Sequence, residues 1–366
     1  MHANPAPGGP GVAPSWTRAD KAGVGTALSW SSQVWFTIAG GVITEVYYPD
    51  VDTPQTRDLQ FLVTDGSTFC HDPKVDCTHQ CAPIDPDALA YTMTNKSITK
   101  PYTLTHDVIC EPSSPCVLIR TRITGDASLL PKLRLFVLLA PHMEGAGWGN
   151  SGFVANTRRG TAMCAHSGNT WLAMGADCGF KTTGCGYVGV NDGWKDIIGH
   201  NRLPIWNYDS VFNGNIALTA EIDLAGKTEF VLAVAFSDGD DQTPTGALVT
   251  LTEALSNPFE APVGAPLGTY SHLNAFLKGW KDRPTVFKPG AKATSDGGRL
   301  FNLSRNVLLA HEDKKYNGAL VASLSTPWGE VLGDSDTGYH LVWPRDMSQS
   351  AMALLAAGET DLPLRG

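Results

Sequence analysis

The feature that most constrains the fold of this sequence is a repeated alternation of apolar and polar residues between positions 34 and 236. Successive side chains of a β-strand point to opposite faces, so a period of two predicts strands that bury one face. Each sheet must cover its apolar face, and we therefore predict antiparallel sheets packed face to face in a large β-sandwich. The clearest strands are predicted at residues 42–47, 102–108, 116–123, 132–137, 216–222 and 229–236, the last two as a hairpin.

A helical period replaces the strand period after about residue 245. Apolar residues recur every three or four positions within residues 246–255 and 270–280, and Pro and Gly residues then predict a linker. We predict a β-sandwich at residues 1–268, a helical linker at 269–296 and a helical domain at 297–366. One helix of that domain starts at Gly298 and buries a stripe of Leu300, Phe301, Ser304, Val307 and Leu308.

A further helix is predicted from Asp346, whose side chain suits an N-cap, to Gly358 as the C-cap residue. Met352, Leu354 and Leu355 are its predicted apolar face. The fold class is therefore mainly β, with β-structure first and helices afterwards.

The charge balance argues against nucleic acid and anionic membranes as partners. The chain has 27 Lys and Arg against 36 Asp and Glu, a formal net charge of −9. Nucleic acid and anionic lipid surfaces attract an excess of basic residues, so a neutral substrate fits better. No apolar run approaches the roughly 18 residues that a membrane-spanning helix needs, and we predict no membrane span.

The eight cysteines occur in local clusters. An even number is typical of an oxidising compartment, so we expect a secreted or periplasmic protein, although the given chain begins without a signal peptide. We predict a disulfide between Cys110 and Cys116 and one within the group of Cys70, Cys77 and Cys81. The same group, with its histidines, matches no standard zinc spacing, and no calcium-binding loop motif occurs. We therefore predict no metal and no cofactor.

Residues 325–346 join two predicted helices by a long segment crowded with aromatic and charged side chains. Long loops in compact domains are usually functional. Trp343, Arg345 and Asp346 offer an apolar ring, a fork of donors and a pair of acceptors, which together suit a pyranose with one apolar face and a rim of hydroxyls. The residues alone also allow a capped helix with a structural Arg–Asp pair, and they favour that alternative.

The segments around this loop carry a family resemblance. Residues 315–324, 326–329 and above all 338–346, which contain Trp343-Pro344-Arg345-Asp346, closely resemble the bacterial and archaeal glucoamylases and glucodextranases of glycoside hydrolase family 15. Residues 14–16, 21–27, 41–49 and 186–194 resemble the N-terminal domain of the same branch. The resemblance extends over nearly the whole chain.

The resemblance implies a super-β-sandwich, a helical linker and the first helices of an (α/α)6 catalytic barrel. It implies removal of glucose, with inversion, from the non-reducing ends of α-glucans such as maltooligosaccharides or isomaltooligosaccharides. On this sequence Arg345 and Asp346 would bind hydroxyls of the terminal glucose, and Tyr339 and Trp343 would line the same subsite. The linkage specificity stays open.

An inverting glycosidase needs a carboxylic acid and a carboxylate base about 6.5–9.5 Å apart. The resemblance places both as Glu residues on barrel loops beyond Gly366, so we expect no catalytic residue in this chain, an incomplete barrel and no activity of the chain alone. We expect Glu312, Glu330, Asp334 and Asp336 to be solvated or turn carboxylates. Two alternatives remain open, which are a non-catalytic carbohydrate-binding or scaffolding sandwich and part of a related inverting disaccharide phosphorylase.

Overall fold

The computed structural model describes residues 4–239, 243–266, 268–283, 294–325 and 341–365. Its strands are β1 (Gly23–Thr26), β2 (Trp35–Ala39), β3 (Val42–Tyr47), β4 (Thr56–Thr64), β5 (Cys70–His71), β6 (Cys77–Pro83), β7 (Tyr91–Ser97), β8 (Tyr102–Cys110), β9 (Cys116–Gly125), β10 (Arg134–Pro141), β11 (Asn150–Thr157), β12 (Gly160–Ser167), β13 (Thr170–Ala176), β14 (Phe180–Tyr187), β15 (Ser210–Gly214), β16 (Ile216–Ile222) and β17 (Glu229–Asp238). Its α-helices are α1 (Pro73–Asp76), α2 (Gly193–His200), α3 (Thr245–Ala254), α4 (His272–Lys281), α5 (Arg299–Ala310) and α6 (Pro344–Ala356).

Two antiparallel sheets form the sandwich, which confirms the predicted mainly β fold. The first sheet has the order β1-β2-β3-β4-β10-β16-β14, with β5 paired to β4, and the second has the order β15-β11-β12-β13-β17-β9-β8-β7-β6. Their inner faces share one apolar core that includes Phe36, Leu118 and Phe236. None of the described helices is long and apolar enough to cross a bilayer.

The predicted hairpin of residues 216–222 and 229–236 is wrong, although both strands exist. β16 lies in the first sheet between β10 and β14, whereas β17 lies in the second sheet between β13 and β9. Ala225 and Gly226 in the connection both have positive φ angles, of 46° and 84°. The turn therefore carries the chain from one sheet to the other, and both strands bury their apolar faces in the shared core.

Both faces of the first sheet are covered. α2, which the strand-like sequence did not predict, packs through Ile197 against Leu62 of β4 and Phe136 of β10, and Leu203 after the helix joins the same cluster. Asp192 caps this helix by accepting a hydrogen bond from the Lys195 amide at 3.0 Å. The N-terminal segment lies beside α2, where the Val12 amide donates to the Val188 carbonyl at 3.0 Å.

The helical part is docked on the edge of the first sheet by aromatic side chains. The Trp35 indole N–H donates to the Ala310 carbonyl at 3.0 Å, and the Trp280 indole N–H donates to the Thr26 carbonyl at 3.2 Å. The Tyr47 hydroxyl donates to the Leu324 carbonyl at 3.0 Å. All three aromatic rings are almost fully buried. A buried donor without a partner is costly, so these bonds fix where each ring can be buried.

Lys314 lies half-buried in the same junction. Its Nζ lies 4.5 Å from the centre of the Trp35 ring and donates to the Thr26 hydroxyl at 2.5 Å and to the Ser32 carbonyl. Burial lowers the pKa of this amine to about 7. The ring and the two acceptors replace water around the amine, which lets a long basic side chain lie between the sheet and the helices.

The predicted buried stripe of α5 is wrong. Leu300 is mostly exposed, Ser304 is exposed, and Phe301, Val307 and Leu308 are half-buried. The buried residues are Arg305, Asn306, Leu309 and Ala310, on another face of the helix. Arg305 and Asn306 can be buried on that face because polar groups of other segments lie next to them. The Asn306 side-chain amide donates to the Asp87 backbone carbonyl at 3.0 Å, and the Arg305 Nε atom lies 3.6 Å from Glu359 Oε1.

The predicted disulfides are also wrong, because all eight cysteines are free in the structure. Cys110 pairs in register with Val117, so Cys116, one residue away on β9, points to the opposite face. Cys77 and Cys81 lie four residues apart on β6, about 13 Å at the usual strand rise. That distance is far beyond the reach of a disulfide, and Cys70 lies on the other sheet.

Thiol titration tests the state of the cysteines. Burial raises the pKa of all eight thiols, to about 11 for Cys70, Cys77 and Cys81 and to about 12 for Cys110. Because the thiolate is the reactive form, a disulfide reagent at pH 8 should react very slowly with the native protein. After denaturation without reductant it should titrate eight thiols. A count of six or fewer would contradict the structure.

Truncation tests how far the sandwich depends on α4. Leu273, Phe276 and Trp280 are buried in the same core as the strands, and burial of such a side chain contributes about 1.5–3 kcal/mol. A chain ending at residue 283 should therefore have a free energy of unfolding at least ~3 kcal/mol above that of a chain ending at 268. We predict that the shorter chain also folds cooperatively, because the strands of the two sheets bury one another. Equal melting temperatures would show that α4 only rests on the sandwich.

Candidate functional site

The candidate site lies at the N-terminus of α6. Trp343 has an extended backbone and is the N-cap residue, and Pro344 occupies the first helical position, where its missing N–H costs nothing. Asp346 is therefore not the N-cap that the sequence predicts, but lies within the first helical turn. A carboxylate there is favoured by the helix dipole. The first amides of the helix also lack intrahelical partners, so this turn presents donors to its surroundings.

The structure brings three of the four predicted site residues together at this turn. The Arg345 Nη2 atom lies 3.4 Å from Asp346 Oδ2, a long contact for an ion pair, and the Arg345 side chain is 75% exposed. The Trp343 side chain is about half exposed. Tyr339, the fourth, lies outside the described residues. The guanidinium fork and the carboxylate thus lie side by side at the helix end, and the half-exposed indole belongs to the residue that caps it.

The turn is anchored to the rest of the molecule through α6. Leu354 is fully buried and belongs to the shared core, as does Leu362 after the helix. The C-cap residue is Ala357 and not the predicted Gly358, which follows it with a φ of +84° and so ends the helix one position later. Of the other predicted apolar residues, Met352 and Leu355 are exposed. Before the helix, the Leu341 carbonyl accepts from the Ala322 amide at 2.9 Å.

Three described carboxylates of the helical part have structural partners. Glu312 accepts from Arg365 at 2.6 Å and from the Gly318 amide at 3.0 Å. Asp313 accepts from the amides of Val51, Lys315 and Tyr316, each at 2.7 Å. Glu359 pairs with Arg283 at 2.9 Å. Of the other carboxylates considered from the sequence, Glu330, Asp334 and Asp336 lie outside the described residues.

Sequence reasoning missed a cavity of about 310 Å³ on the outer face of the first sheet. Its walls come from the N-terminal segment, from β4, β10 and β16, and from the start of α2. These pieces are far apart in the chain, and only the sheet order brings them together. No cluster of three or more His, Cys, Asp or Glu side chains that could hold a metal ion occurs in the described part of the chain.

Comparison with known proteins places these elements in a family. The family model "Glucodextranase, domain N" matches residues 6–282, and "Glycosyl hydrolases family 15" matches residues 299–363. A glucoamylase of Clostridium sp. (strain G0005) is 32% identical over 354 residues, which are 96% of this chain and 48% of that protein. The chain belongs to glycoside hydrolase family 15, in its glucoamylase and glucodextranase branch.

A solved glucoamylase structure agrees with this assignment. The crystal structure of a bacterial glucoamylase complexed with acarbose superposes with a TM-score of 0.89 at 32% identity, covering 100% of this chain and 52% of that one. The chain thus spans about half the length of both relatives. The second family match, residues 299–363, contains α5, α6 and the Trp343-Pro344-Arg345-Asp346 turn.

A matched pair of arginine substitutions tests whether Arg345 serves the fold. Arg345→Ala should change the free energy of unfolding by less than about 0.5 kcal/mol, because the side chain is exposed and its contact with Asp346 is long. Arg305→Ala should cost about 3 kcal/mol, because Arg305 is buried beside Glu359. Denaturant unfolding measures both values. Equal losses would assign Arg345 a structural role.

Proposed function

We propose that this chain is the N-terminal part of an inverting exo-acting α-glucosidase that releases glucose from the non-reducing ends of α-glucans. The observation that carries the proposal is the family 15 match over residues 299–363, within which Arg345 and Asp346 occupy an exposed helix end. The glucoamylase relative and the glucoamylase structure with acarbose support an oligosaccharide substrate, such as a maltooligosaccharide or isomaltooligosaccharide.

In this proposal α5 and α6 are the first helices of an (α/α)6 barrel. Their exposed apolar residues, which include Leu300, Met352 and Leu355, would face further helices of that barrel. Exposed apolar surface is costly unless another element covers it.

The proposed role of the α6 turn is to bind and orient the terminal glucose. The Arg345 guanidinium can donate two hydrogen bonds to neighbouring hydroxyls, and the Asp346 carboxylate can accept from a third. The Trp343 ring, with Tyr339, would cover an apolar face of the sugar. Fixing the ring in this way lowers the entropic part of the barrier for attack at the anomeric carbon.

The proton transfers need other groups. Protonation of the leaving oxygen and activation of water require a protonated and an ionised carboxyl group on opposite sides of the scissile bond. Glu312, Asp313 and Glu359 are already bound to backbone amides or arginines. We propose that the general acid and base are Glu residues that follow the 366 residues of this sequence.

Glucose release tests the proposal. The purified 366-residue chain should release glucose from maltose and starch only at background, because positioning without an acid and a base does not transfer protons. Joined to a complete family 15 catalytic domain, the protein should release glucose from both substrates. There, Arg345→Ala or Asp346→Ala should lower kcat/KM at least 100-fold, while Arg365→Ala serves as a control near Glu312.

Three results would contradict the proposal. Saturable hydrolysis by the 366-residue chain would place the catalytic carboxylates within it. Full activity of Arg345→Ala in the longer protein would remove Arg345 from the glucose subsite. Glucose release that depends on added phosphate would assign the protein to the phosphorylases.

A further inference from the structure

A short strap, residues 320–325, is bonded both to the sandwich and to the segment that enters α6. Three of its residues are buried in the shared core, namely Leu320, Val321 and Leu324. The Ala322 backbone amide donates to the Leu341 carbonyl at 2.9 Å. Leu341 is two residues before Trp343, so this bond ties the strap to the start of the α6 turn.

The C-terminal end of the strap is bonded to the sandwich at two points. The Tyr47 hydroxyl of β3 donates to the Leu324 carbonyl at 3.0 Å. The half-buried Ser325 donates from its hydroxyl to the Ala19 carbonyl at 2.8 Å. Because the two bonds belong to neighbouring residues, they fix both the position and the direction of the strap against the sandwich.

A buried ion pair fixes the backbone to which Ser325 is bonded. Glu45 of β3 is fully buried, the Lys21 side chain is 6% exposed, and their charged atoms lie 2.7 Å apart. Lys21 Nζ also donates to the Arg18 carbonyl at 2.7 Å. The next carbonyl along the chain, that of Ala19, is the acceptor of the Ser325 hydroxyl. The buried ion pair therefore reaches the strap through two adjacent peptide groups.

The advantage of the buried ion pair is its geometry. Burying two charges costs about as much as their attraction returns, so such a pair adds little net stability over apolar side chains of the same volume. Its hydrogen bonds impose direction, because the Glu45 carboxylate also accepts from the Thr17 and Thr37 hydroxyls at 2.9 and 2.6 Å. The Lys21 amine is thus held between Glu45 and the Arg18 carbonyl.

We propose that Ser325 is a positioning residue of the glucose subsite, and that the buried ion pair of Lys21 and Glu45 fixes the backbone to which Ser325 is bonded. Through the strap, Ser325 limits the orientations in which the α6 turn can present Arg345 and Asp346. It acts without contacting the sugar. The inference rests on the proposed function, because it assigns Ser325 a role in placing the residues that bind glucose.

Hydrogen exchange of the 366-residue chain tests the placement without requiring activity. The reporter amides are those of Ala322 and Met347, which donate to the carbonyls of Leu341 at 2.9 Å and Trp343 at 2.8 Å. Ser325→Ala should speed exchange of both amides about tenfold, because loss of an anchoring bond lets the strap open more often. Ser325→Thr keeps a hydroxyl and should restore slow exchange.

Ser256→Ala is the matched control. Ser256 follows α3, and its hydroxyl donates to the Thr252 carbonyl at 2.6 Å, so the variant loses the same kind of bond in another segment. Exchange of the two reporter amides should be unchanged in this variant. Unchanged exchange in Ser325→Ala overturns the proposal, as does equal acceleration in Ser256→Ala.

Glu45→Gln tests the buried ion pair separately. The variant keeps the volume of the side chain and the Ser325 bond but removes the charge that holds Lys21. It should speed exchange of the reporter amides as well as lower the melting temperature. A lower melting temperature with unchanged exchange would limit the pair to stability and overturn its positioning role. If Glu45→Gln does not fold, Thr17→Val, which removes one donor to the carboxylate, decides by the same two outcomes.

Kinetics of the protein joined to a complete family 15 catalytic domain test the consequence for the reaction. When bound glucose must first order the turn, affinity falls by the fraction of time that the turn is correctly placed, whereas the bound complex is unchanged. Ser325→Ala should therefore raise KM for maltose about fivefold with kcat nearly unchanged. Ser325→Thr should restore KM, and Ser256→Ala should leave it unchanged.

The failures of the two proposals are distinguishable. Absence of glucose release by the longer protein without substitutions would contradict the proposed glucosidase, and hydrogen exchange would then decide whether Ser325 holds the turn. An unchanged KM in Ser325→Ala, measured in an active longer protein, overturns the positioning role alone. A fall in kcat with KM unchanged overturns it too, because a turn ordered by the bound sugar affects binding.

Discussion

The burial of Trp35, Tyr47 and Trp280 between the first sheet and the helices is the interaction on which the rest of the structure depends. Each of these rings needs an acceptor for its N–H or O–H, and each finds a backbone carbonyl across the junction. Two of the three acceptors belong to the helical part, at Ala310 and Leu324, and the third belongs to Thr26. Donors and acceptors therefore come from both sides, and neither side can satisfy its buried polar groups alone.

This junction determines where the candidate glucose-binding turn is placed. α5 is fixed by the Trp35 bond at its C-terminal end, and α6 reaches the same core through Leu354. The turn of Arg345 and Asp346 lies at the opposite end of α6 from Gly358, so the core holds the helix while its N-terminus stays exposed. The sandwich thus orients the helices that carry the turn, although its own strands contribute none of the residues of the turn.

The sequence predicted what depends on local periodicity. β3 and β16 have the bounds that the period of two indicated, since alternation directly reports a half-buried strand. The pairing of β16 was missed, because a short loop can return to the same sheet or cross to the facing one. The buried face of α5 was missed because Arg305 and Asn306 are buried through partners distant in sequence, Glu359 and Asp87. Hydrophobicity alone cannot identify such a face.

The candidate functional features also differ in whether the sequence alone could reveal them. The Trp343-Pro344-Arg345-Asp346 motif is contiguous, and a contiguous motif is visible without the fold. The outer-face cavity joins Val12, Gln60 and Trp194, which only the sheet order brings together. The predicted disulfides failed for a related reason, since nearness in sequence says nothing about which face of a strand a thiol occupies.

Native-state hydrogen exchange of the indole N–H groups of Trp35 and Trp280 is the most direct test of the central claim that sandwich and helices form one cooperative unit. We expect both indoles to exchange only through global unfolding, with the same opening free energy as the β10 amides at the centre of the first sheet. Exchange of the two indoles orders of magnitude faster than these amides would contradict the claim. It would mean that the helices open from a sandwich that stays folded.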